Sequence, residues 1–262
     1  MARPRNVSRL YSSEANAYFA RLATKPTPQR RDAYQFLIGS LVGAGVWAKL
    51  DALWVLAAAD AATAAVNLKS SSYALSLVST PTFTADRGYT GNGSSTALST
   101  GYNPGAGGTL YAQDSASLFG WSLTAGQVGA FNANNSMMGV AGGVSDSFIY
   151  PRDTSDTYRA RVNQTGSIGL TVTNALGFFV ATRTAAAAGA TYAYSNSAFS
   201  QTNTTTGASV AVKNATWRLL GTDLGFWAGQ MAVAGAGGAL TRADSDALFA
   251  ACQHYLRHAG AI

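Results

Sequence analysis

The chain has 262 residues, of which 47% are hydrophobic and only 11% are charged. This composition excludes a disordered chain, because disorder requires low hydrophobicity and a high net charge. The net charge of +6 equals that of residues 1–31, where seven basic residues accompany one acid, Glu14, so the rest of the chain is neutral. A neutral body has no basic stripe for nucleic acid, and the basic arm favours docking on an acidic surface.

The first part of the chain reads as a basic arm followed by helices. Ser13 predicts the cap of a helix over residues 14–23, and Thr27 predicts the cap of a second helix with Pro28 in its first position. That second helix should run to about residue 44, where Gly43 and Gly45 end it. Residues 50–56 are ambiguous between a helix and a buried strand, and we favour a strand. The longest apolar run, residues 36–48, is too short to cross a membrane, and we see no apolar segment typical of a secretory signal.

From residue 67 onward the hydrophobic period changes to two, which is typical of half-buried strands. Short strands separated by turn residues indicate a β-sandwich. Thr241, with Asp244 in the first turn, predicts a final helix over residues 242–258. We therefore predict a mainly β fold with a basic arm and helical attachment region over residues 1–66 and a jelly-roll sandwich over residues 67–262. The predicted strands are residues 73–78, 95–100, 117–123, 147–150, 158–163, 166–172, 178–183, 191–194, 208–212, 217–221 and 229–234.

One stretch near the C-terminus resembles a known family. Residues 219–233 read Leu-Leu-Gly-Thr-Asp-Leu-Gly-Phe-Trp-Ala-Gly-Gln-Met-Ala-Val. They resemble the last strands of laminin-G-like, concanavalin A-like jelly rolls, and residues 240–249 are similar to that family's closing leucine and capped helix. Residues 83–93 and 191–197 are similar to its further strands and turns, with Ser197 in place of a glycine.

The whole arrangement, including residues 47–51, resembles proteins encoded among the tail and head genes of tailed bacteriophages and prophages. This resemblance implies a concanavalin A-like jelly roll with helices at both ends, carried by a phage or a phage-like particle. It says little about the ligand, because a fold does not determine a function.

Catalytic and metal sites are weakly supported by the sequence. Glycoside hydrolysis needs two carboxylates across the scissile bond, and the single glutamate lies outside the predicted sandwich. Two aspartate pairs are explained by turn and capping chemistry, and two histidines at helical spacing lack a third metal ligand. We therefore predict a protein that is not an enzyme, with no catalytic residue, no bound metal and no cofactor. The residues weighed are Glu14, Asp153 and Asp156, Asp244 and Asp246, and His254 and His258.

Three tyrosines stand beside amide or guanidinium groups at predicted turns. Aromatic faces together with such donors are what a sugar site needs, although ordinary loop packing also explains loop tyrosines. The hypothesis is a glycan-binding site formed by Tyr89, Asn92, Tyr102, Asn103, Tyr150 and Arg152.

The basic arm and the first helix form the second predicted site. Arginines steer docking, and apolar residues on one helix side add contact area. We expect attachment to a particle through Arg3, Arg5, Arg9, Tyr18, Phe19 and Leu22.

The expected function is that of a virion structural protein on the surface of a phage or phage-like particle, as head decoration, collar or tail-associated protein. The alternatives are a module that binds host polysaccharide and, more weakly supported, an enzyme that degrades it. The expected partners are other virion proteins, host-surface polysaccharide and further copies of the chain. Membranes and nucleic acid are not expected partners. We expect synthesis in the host cytoplasm and a final location in the virion.

Overall fold

The computed structural model describes residues 10–125, 129–194, 199–203 and 207–262. Its helices are α1 (Ser13–Arg21), α2 (Pro28–Gly43), a single turn α3 (Ala61–Ala64) and α4 (Arg242–Ala259). Local sequence explains their ends. Thr27 caps α2, and Pro28 occupies its first turn. Thr241 and Asp244 form a reciprocal capping box at the start of α4, which ends at Gly260 in the left-handed conformation.

Seventeen strands lie in the described part of the chain, joined by turns and loops. They are β1 (Leu50–Val55), β2 (Ser76–Val78), β3 (Thr82–Thr84), β4 (Gly88–Asn92), β5 (Ala97–Ser99), β6 (Ala116–Ser122), β7 (Met138–Val140), β8 (Ser147–Tyr150), β9 (Thr157–Arg161), β10 (Ile168–Thr171), β11 (Gly177–Ala185), β12 (Ala188–Tyr194), β13 (Phe199–Asn203), β14 (Arg218–Leu219), β15 (Gly221–Thr222), β16 (Gly225–Phe226) and β17 (Ala228–Gly237).

The strands form two large antiparallel sheets. The larger sheet has the order β13-β12-β11-β6-β17-β4-β3, and β1 also pairs with β17. Strand β17 is long enough to hold β4 along its first half and β1 along its second half. The smaller sheet has the order β10-β9-β8-β7-β14-β5-β2, and β15 and β16 form a separate hairpin.

Two hydrophobic cores divide the molecule into three layers. One core fills the space between the sheets and contains Leu118, Ile149 and Trp217. The other lies on the outer face of the larger sheet, where α1, α2 and α4 cover Trp121 and Phe178. The prediction of a mainly β sandwich with helices at both ends is therefore confirmed.

Most predicted elements are present, with shifts at their ends. The ambiguous segment is a strand, β1, as favoured, and α1 is capped by Ser12 instead of Ser13. The strand predicted over residues 208–212 is absent from the described backbone. Its N–H groups bond to separate loops instead, with Ser209 donating to Ala186 at 2.8 Å and Val210 donating to Asn163 at 2.8 Å.

The region before residue 67 shares its cores with the rest of the chain. Strand β1 belongs to the larger sheet, where it pairs with β17, and Tyr34 of α2 packs on Tyr255 of α4 with ring centroids 4.8 Å apart. Residues 10–66 thus supply a strand and a helical cover to the sandwich. None of the helices within the described part of the chain is long and apolar enough to cross a membrane.

Candidate functional site: an arginine–aromatic face

The outer face of the smaller sheet carries a cluster of aromatic rings and guanidinium groups. Alternation along β9 turns Tyr158 and Ala160 toward the inter-sheet core and leaves their neighbours on the outside. In β8, Ile149 points inward and its two neighbours point outward. We call this cluster the arginine–aromatic face, and it consists of Phe131, Phe148, Tyr150, Arg152, Arg159 and Arg161.

Aromatic rings support the arginines of this face. Phe131 packs on Phe148 and Tyr150, with centroid distances of 5.8 and 5.5 Å. The guanidinium of Arg159 lies 5.1 Å from the Phe131 ring centroid, and that of Arg161 lies 5.3 Å from the Phe148 centroid. Guanidinium groups stacked in this way lose little freedom when they form further hydrogen bonds.

Each arginine also pairs with an aspartate. Arg159 Nε lies 2.5 Å from Asp153 Oδ2, and Arg161 Nη1 lies 2.7 Å from Asp146 Oδ2. The side chains of both aspartates are only 2% exposed, whereas those of Arg159 and Arg161 are 31% and 18% exposed. The carboxylates therefore lie beneath the guanidinium groups, and solvent meets the cations first.

The two buried aspartates have different pKa shifts. Burial alone would raise the pKa of Asp153, but hydrogen bonds from Arg159 and from the backbone N–H groups of Thr157 and Ser155 outweigh it, so its pKa is lowered. At Asp146 burial dominates over the nearby Arg161, and its pKa is raised. Asp153 is therefore the carboxylate that holds its arginine most firmly at neutral pH.

Of the six residues predicted to bind glycan, the structure places only Tyr150 and Arg152 on this face. Tyr89 and Tyr102 are buried in the inter-sheet core, and Tyr102 donates its hydroxyl proton to Asp51 Oδ2 at 2.9 Å. Tyr150 is also buried, with its hydroxyl 3.1 Å from the Ala130 carbonyl oxygen. None of the three tyrosine rings is therefore exposed for a glycan. Tyr89 and Tyr102 lie in the inter-sheet core, and Tyr150 points outward from β8 but is covered by Phe131 and by the loop whose carbonyl oxygens accept its hydroxyl proton.

The two predicted asparagines organise loops away from this face. Asn92 Oδ1 accepts hydrogen bonds from the backbone of Ser94 and Ser95 at 3.0 and 2.9 Å, which closes the turn after β4. Asn103 Nδ2 donates to Asn214 Oδ1 at 2.8 Å. Asn92 thus bonds to its own turn, as turn asparagines commonly do, and Asn103 joins two loops that are distant in sequence.

The predicted attachment residues are mostly inside the molecule. Tyr18 and Leu22 are buried between α1 and the rest of the helical layer, and Phe19 packs at its edge with its ring centroid 5.3 Å from that of Tyr11. These apolar residues thus contact their own chain, which corrects their predicted role as partner contacts. Arg3, Arg5 and Arg9 lie outside the described residues.

The helical layer does expose other large apolar residues. Leu10, Phe36 and Val42 are 92%, 46% and 40% exposed. The Phe36 ring stacks on His254 of α4, with centroids 3.7 Å apart and planes 24° apart. We call these three apolar residues the helical-layer patch.

The carboxylate pairs weighed for hydrolysis have structural partners. Asp244 completes the cap of α4 and pairs with Lys49 at 2.6 Å, while Asp246 pairs with Arg242 at 2.8 Å. Asp153 closes the turn before β9, where its Oδ1 accepts from the backbone N–H of Thr157 at 3.0 Å. Turn and capping chemistry therefore accounts for these aspartates, as the sequence suggested.

Sequence reasoning missed most of the arginine–aromatic face. The alternation Tyr158-Arg-Ala-Arg161 was a usable signal, because it places two arginines on the outer side of one strand. Phe131 offered no such signal, since it lies between short polar loops and joins the face only through the fold.

A scan against protein-family models and a search of the curated proteins find no match for this chain. Solved structures do resemble it. Trypanosoma rangeli sialidase, in complex with 2,3-difluorosialic acid, matches with a TM-score of 0.51, 13% identity, and coverage of 84% of this chain but only 37% of the sialidase. A mutant of that sialidase displaying trans-sialidase activity matches with a TM-score of 0.51, 11% identity, and coverage of 87% and 38%. Domain 4 of AbnA, a GH43 extracellular arabinanase from Geobacillus stearothermophilus in complex with arabinotriose, matches with a TM-score of 0.49, 12% identity, and coverage of 77% and 98%.

The two sialidase matches, both with a TM-score of 0.51, support a β-sandwich fold that this chain shares with part of that enzyme. They contradict the prediction that the chain is not an enzyme, because both of these structures with a similar fold belong to a sialidase. The prediction relied on the scarcity of acidic residues, and it does not stand against these neighbours. At such low identity the likeness shows the fold alone, and it transfers no catalytic residue to this chain.

Proposed function

We propose that this chain is a carbohydrate-binding surface protein of a phage or phage-like particle, which binds host glycans through the arginine–aromatic face. The observation that carries the proposal is the arrangement of Arg159 and Arg161. Each is stacked on a ring, oriented by a buried carboxylate and partly exposed. Oriented donors above a rigid apolar base are suited to sugar hydroxyls, because little side-chain freedom is lost on binding.

The helical layer supports the second half of the proposal, which is attachment to a particle. The helical-layer patch lies on α2 and just before α1, whereas the arginine–aromatic face belongs to the smaller sheet. The helices cover the larger sheet and the glycan face lies on the outer side of the smaller one, so a protein held by its helices would present the glycan face outward. The basic arm adds electrostatic steering toward an acidic partner.

Two matched phenylalanine variants test both halves together. Phe131→Ala removes the ring beneath Arg159, and Phe36→Ala removes the ring stacked on His254. Binding to immobilised host-surface polysaccharides should fall with Phe131→Ala and remain with Phe36→Ala. Co-sedimentation with particles should fall with Phe36→Ala and remain with Phe131→Ala.

The outcomes separate the two claims. Unchanged polysaccharide binding by the folded Phe131→Ala protein would refute the glycan-binding role of this face. Unchanged co-sedimentation of Phe36→Ala would refute attachment through the helical layer. Circular dichroism of each variant establishes that it has kept its fold.

A further inference from the structure

Arg159 has an unused hydrogen-bonding edge. Its Nε donates to Asp153 Oδ2, and its flat face lies over Phe131. Within the ranges that the structure describes, Nη1 and Nη2 have no hydrogen-bond partner. The side chain is thus held at its Nε edge and on one face, and its two Nη groups are available to donate hydrogen bonds to a ligand.

The strand beside Arg159 carries only small residues on its outer face. Gly169 of β10 stands directly opposite Arg159 in the sheet register. A Cβ placed on Gly169 would lie 3.2 Å from the Thr157 methyl carbon and 4.0 Å from Arg159 Nη1, so the guanidinium lies beside the glycine and Thr157 bounds that position. The next outward residue of β10, Thr171, is small, polar and exposed. The two outer positions of β10 beside Arg159 therefore carry no large side chain, and we call them the open strip.

The groups that this face offers to a ligand are mainly hydrogen-bond donors. Each of its three arginines is paired with an aspartate, and Asp153 and Asp146 are almost fully buried beneath theirs, so a ligand that approaches from solvent at these two pairs meets guanidinium N–H groups before carboxylate oxygens. The lowered pKa of Asp153 keeps it ionised at neutral pH, which maintains the orientation of Arg159. A guanidinium with two free Nη groups binds a carboxylate through two parallel hydrogen bonds, which are stronger than those to a neutral hydroxyl.

We propose that the glycan bound by this face is acidic, and that Arg159 binds the carboxylate of a uronic or sialic acid residue end-on through Nη1 and Nη2. This inference rests on the proposed glycan-binding function and adds the substrate class. Arg161 and Arg152 lie on the same face and contribute donors to neighbouring hydroxyl groups.

Matched pairs of probes test the inference. Oligogalacturonate is compared with the same oligomer after reduction of its carboxyl groups, and sialyllactose is compared with lactose. Isothermal titration calorimetry of the full chain measures each affinity. We expect about a tenfold or greater loss of affinity when the carboxylate is removed from the preferred ligand, because a bidentate charge-assisted contact is lost. Which pair shows the loss identifies the source of the carboxylate.

Two sets of variants locate the contact. Arg159→Lys keeps the charge and a partner for Asp153 but removes the two parallel Nη donors of the guanidinium. Arg242→Lys is the control, because it makes the same change beside Asp246 on the far side of the molecule. Gly169→Glu supplies an internal carboxylate next to Arg159, and Gly169→Gln is its neutral control of equal size. Affinity for the acidic probe should fall with Arg159→Lys but not with Arg242→Lys, and it should fall further with Gly169→Glu than with Gly169→Gln.

The results distinguish this inference from the proposed function. Equal affinity for acidic probes and their neutral counterparts would overturn the inference and leave glycan binding in place. Binding to none of a broad array of neutral and acidic glycans would overturn both. Acid-selective binding that Arg159→Lys and Gly169→Glu leave unchanged would place the carboxylate elsewhere and also overturn the inference.

Discussion

The outer faces of the two sheets differ in how their aromatic residues are covered. On the larger sheet, Trp121 and Phe178 lie beneath α4, where Phe249 stacks on Trp121 with planes 8° apart. On the smaller sheet, Phe148 lies beneath Phe131 and the arginines, and no helix of the described chain covers it. One face is closed by apolar helices and the other by cations that stay in contact with water. This difference is the basis for our proposal that the first face serves stability and the second serves recognition.

Removing a ring from the helix-covered face should have the largest effect on stability. Trp121 is fully buried, so Trp121→Ala should cost about 3–5 kcal/mol of unfolding free energy through lost burial and a cavity. Urea denaturation measures this cost. Phe131→Ala on the open face is the comparison and should cost clearly less, since that ring is only partly buried. Equal losses at the two positions would contradict the division of roles.

The core shared by both sheets should tolerate added bulk poorly. A Cβ on Gly229 would lie 2.4 Å from both Cζ2 and Cη2 of the buried Trp227, which has no space to move. We expect Gly229→Val to destabilise the fold by roughly 1–3 kcal/mol. Gly166→Val is the control, because a Cβ on the exposed Gly166 would meet no atom within 4 Å, and its melting temperature should stay near that of the wild type. A Gly229→Val protein with an unchanged melting temperature would show that residue 229 does not pack against the Trp227 ring.

The Asp153–Arg159 ion pair of the open face should make stability depend on pH. The folded-state pKa of Asp153 is lowered, so its contribution is present above the unfolded pKa of about 3.9 and is lost as the pH falls through the folded value. At pH 7, Asp153→Asn should cost about 1–3 kcal/mol, because it removes a buried, charge-assisted acceptor. The difference from the wild type should shrink in denaturation curves measured below pH 4. Asp246→Asn changes the more exposed ion pair with Arg242 and should cost less than about 1 kcal/mol of unfolding free energy at either pH. If Asp153→Asn lost the same free energy at every pH, the ion pair between Asp153 and Arg159 would be contradicted.

A smaller effect is expected at the start of the covering helix. Thr241→Ala removes the side-chain cap of α4 and should cost about 0.5–2 kcal/mol. Thr171→Ala, at an exposed threonine of the open strip, should leave thermal stability nearly unchanged. Comparable shifts in melting temperature for the two variants would mean that the cap does not hold the helical layer in place.

The sequence was informative wherever structure follows from neighbouring residues. Thr27 with Pro28, and Thr241 with Asp244, predicted two helix starts because capping depends on a few adjacent positions. Period-two patterns located most of the longer strands. The short strands β7 and β16 were missed, because two or three residues are too few to show a period, and β3 was indicated only by the resemblance of residues 83–93 to a known family.

The candidate site was harder to predict because it depends on long-range packing. The sequence placed Tyr89 and Tyr102 in loops, but both are buried in the inter-sheet core. Phe131 belongs to the site through contacts with β8 that no local sequence pattern predicts. The alternating arginines of β9 are the part of the face that the sequence contained and that reasoning from turns overlooked.

The most direct test of the account is to map where a glycan contacts the protein. Backbone amide chemical shifts of the isotope-labelled 27.0 kDa chain can be followed during titration with an acidic oligosaccharide that it binds. The account predicts that the largest shift changes occur in β8, β9 and β10, centred on Arg159 and Gly169, with little change in α2 and α4. Changes concentrated on the helices or on the larger sheet, with β9 and β10 unaffected, would contradict it.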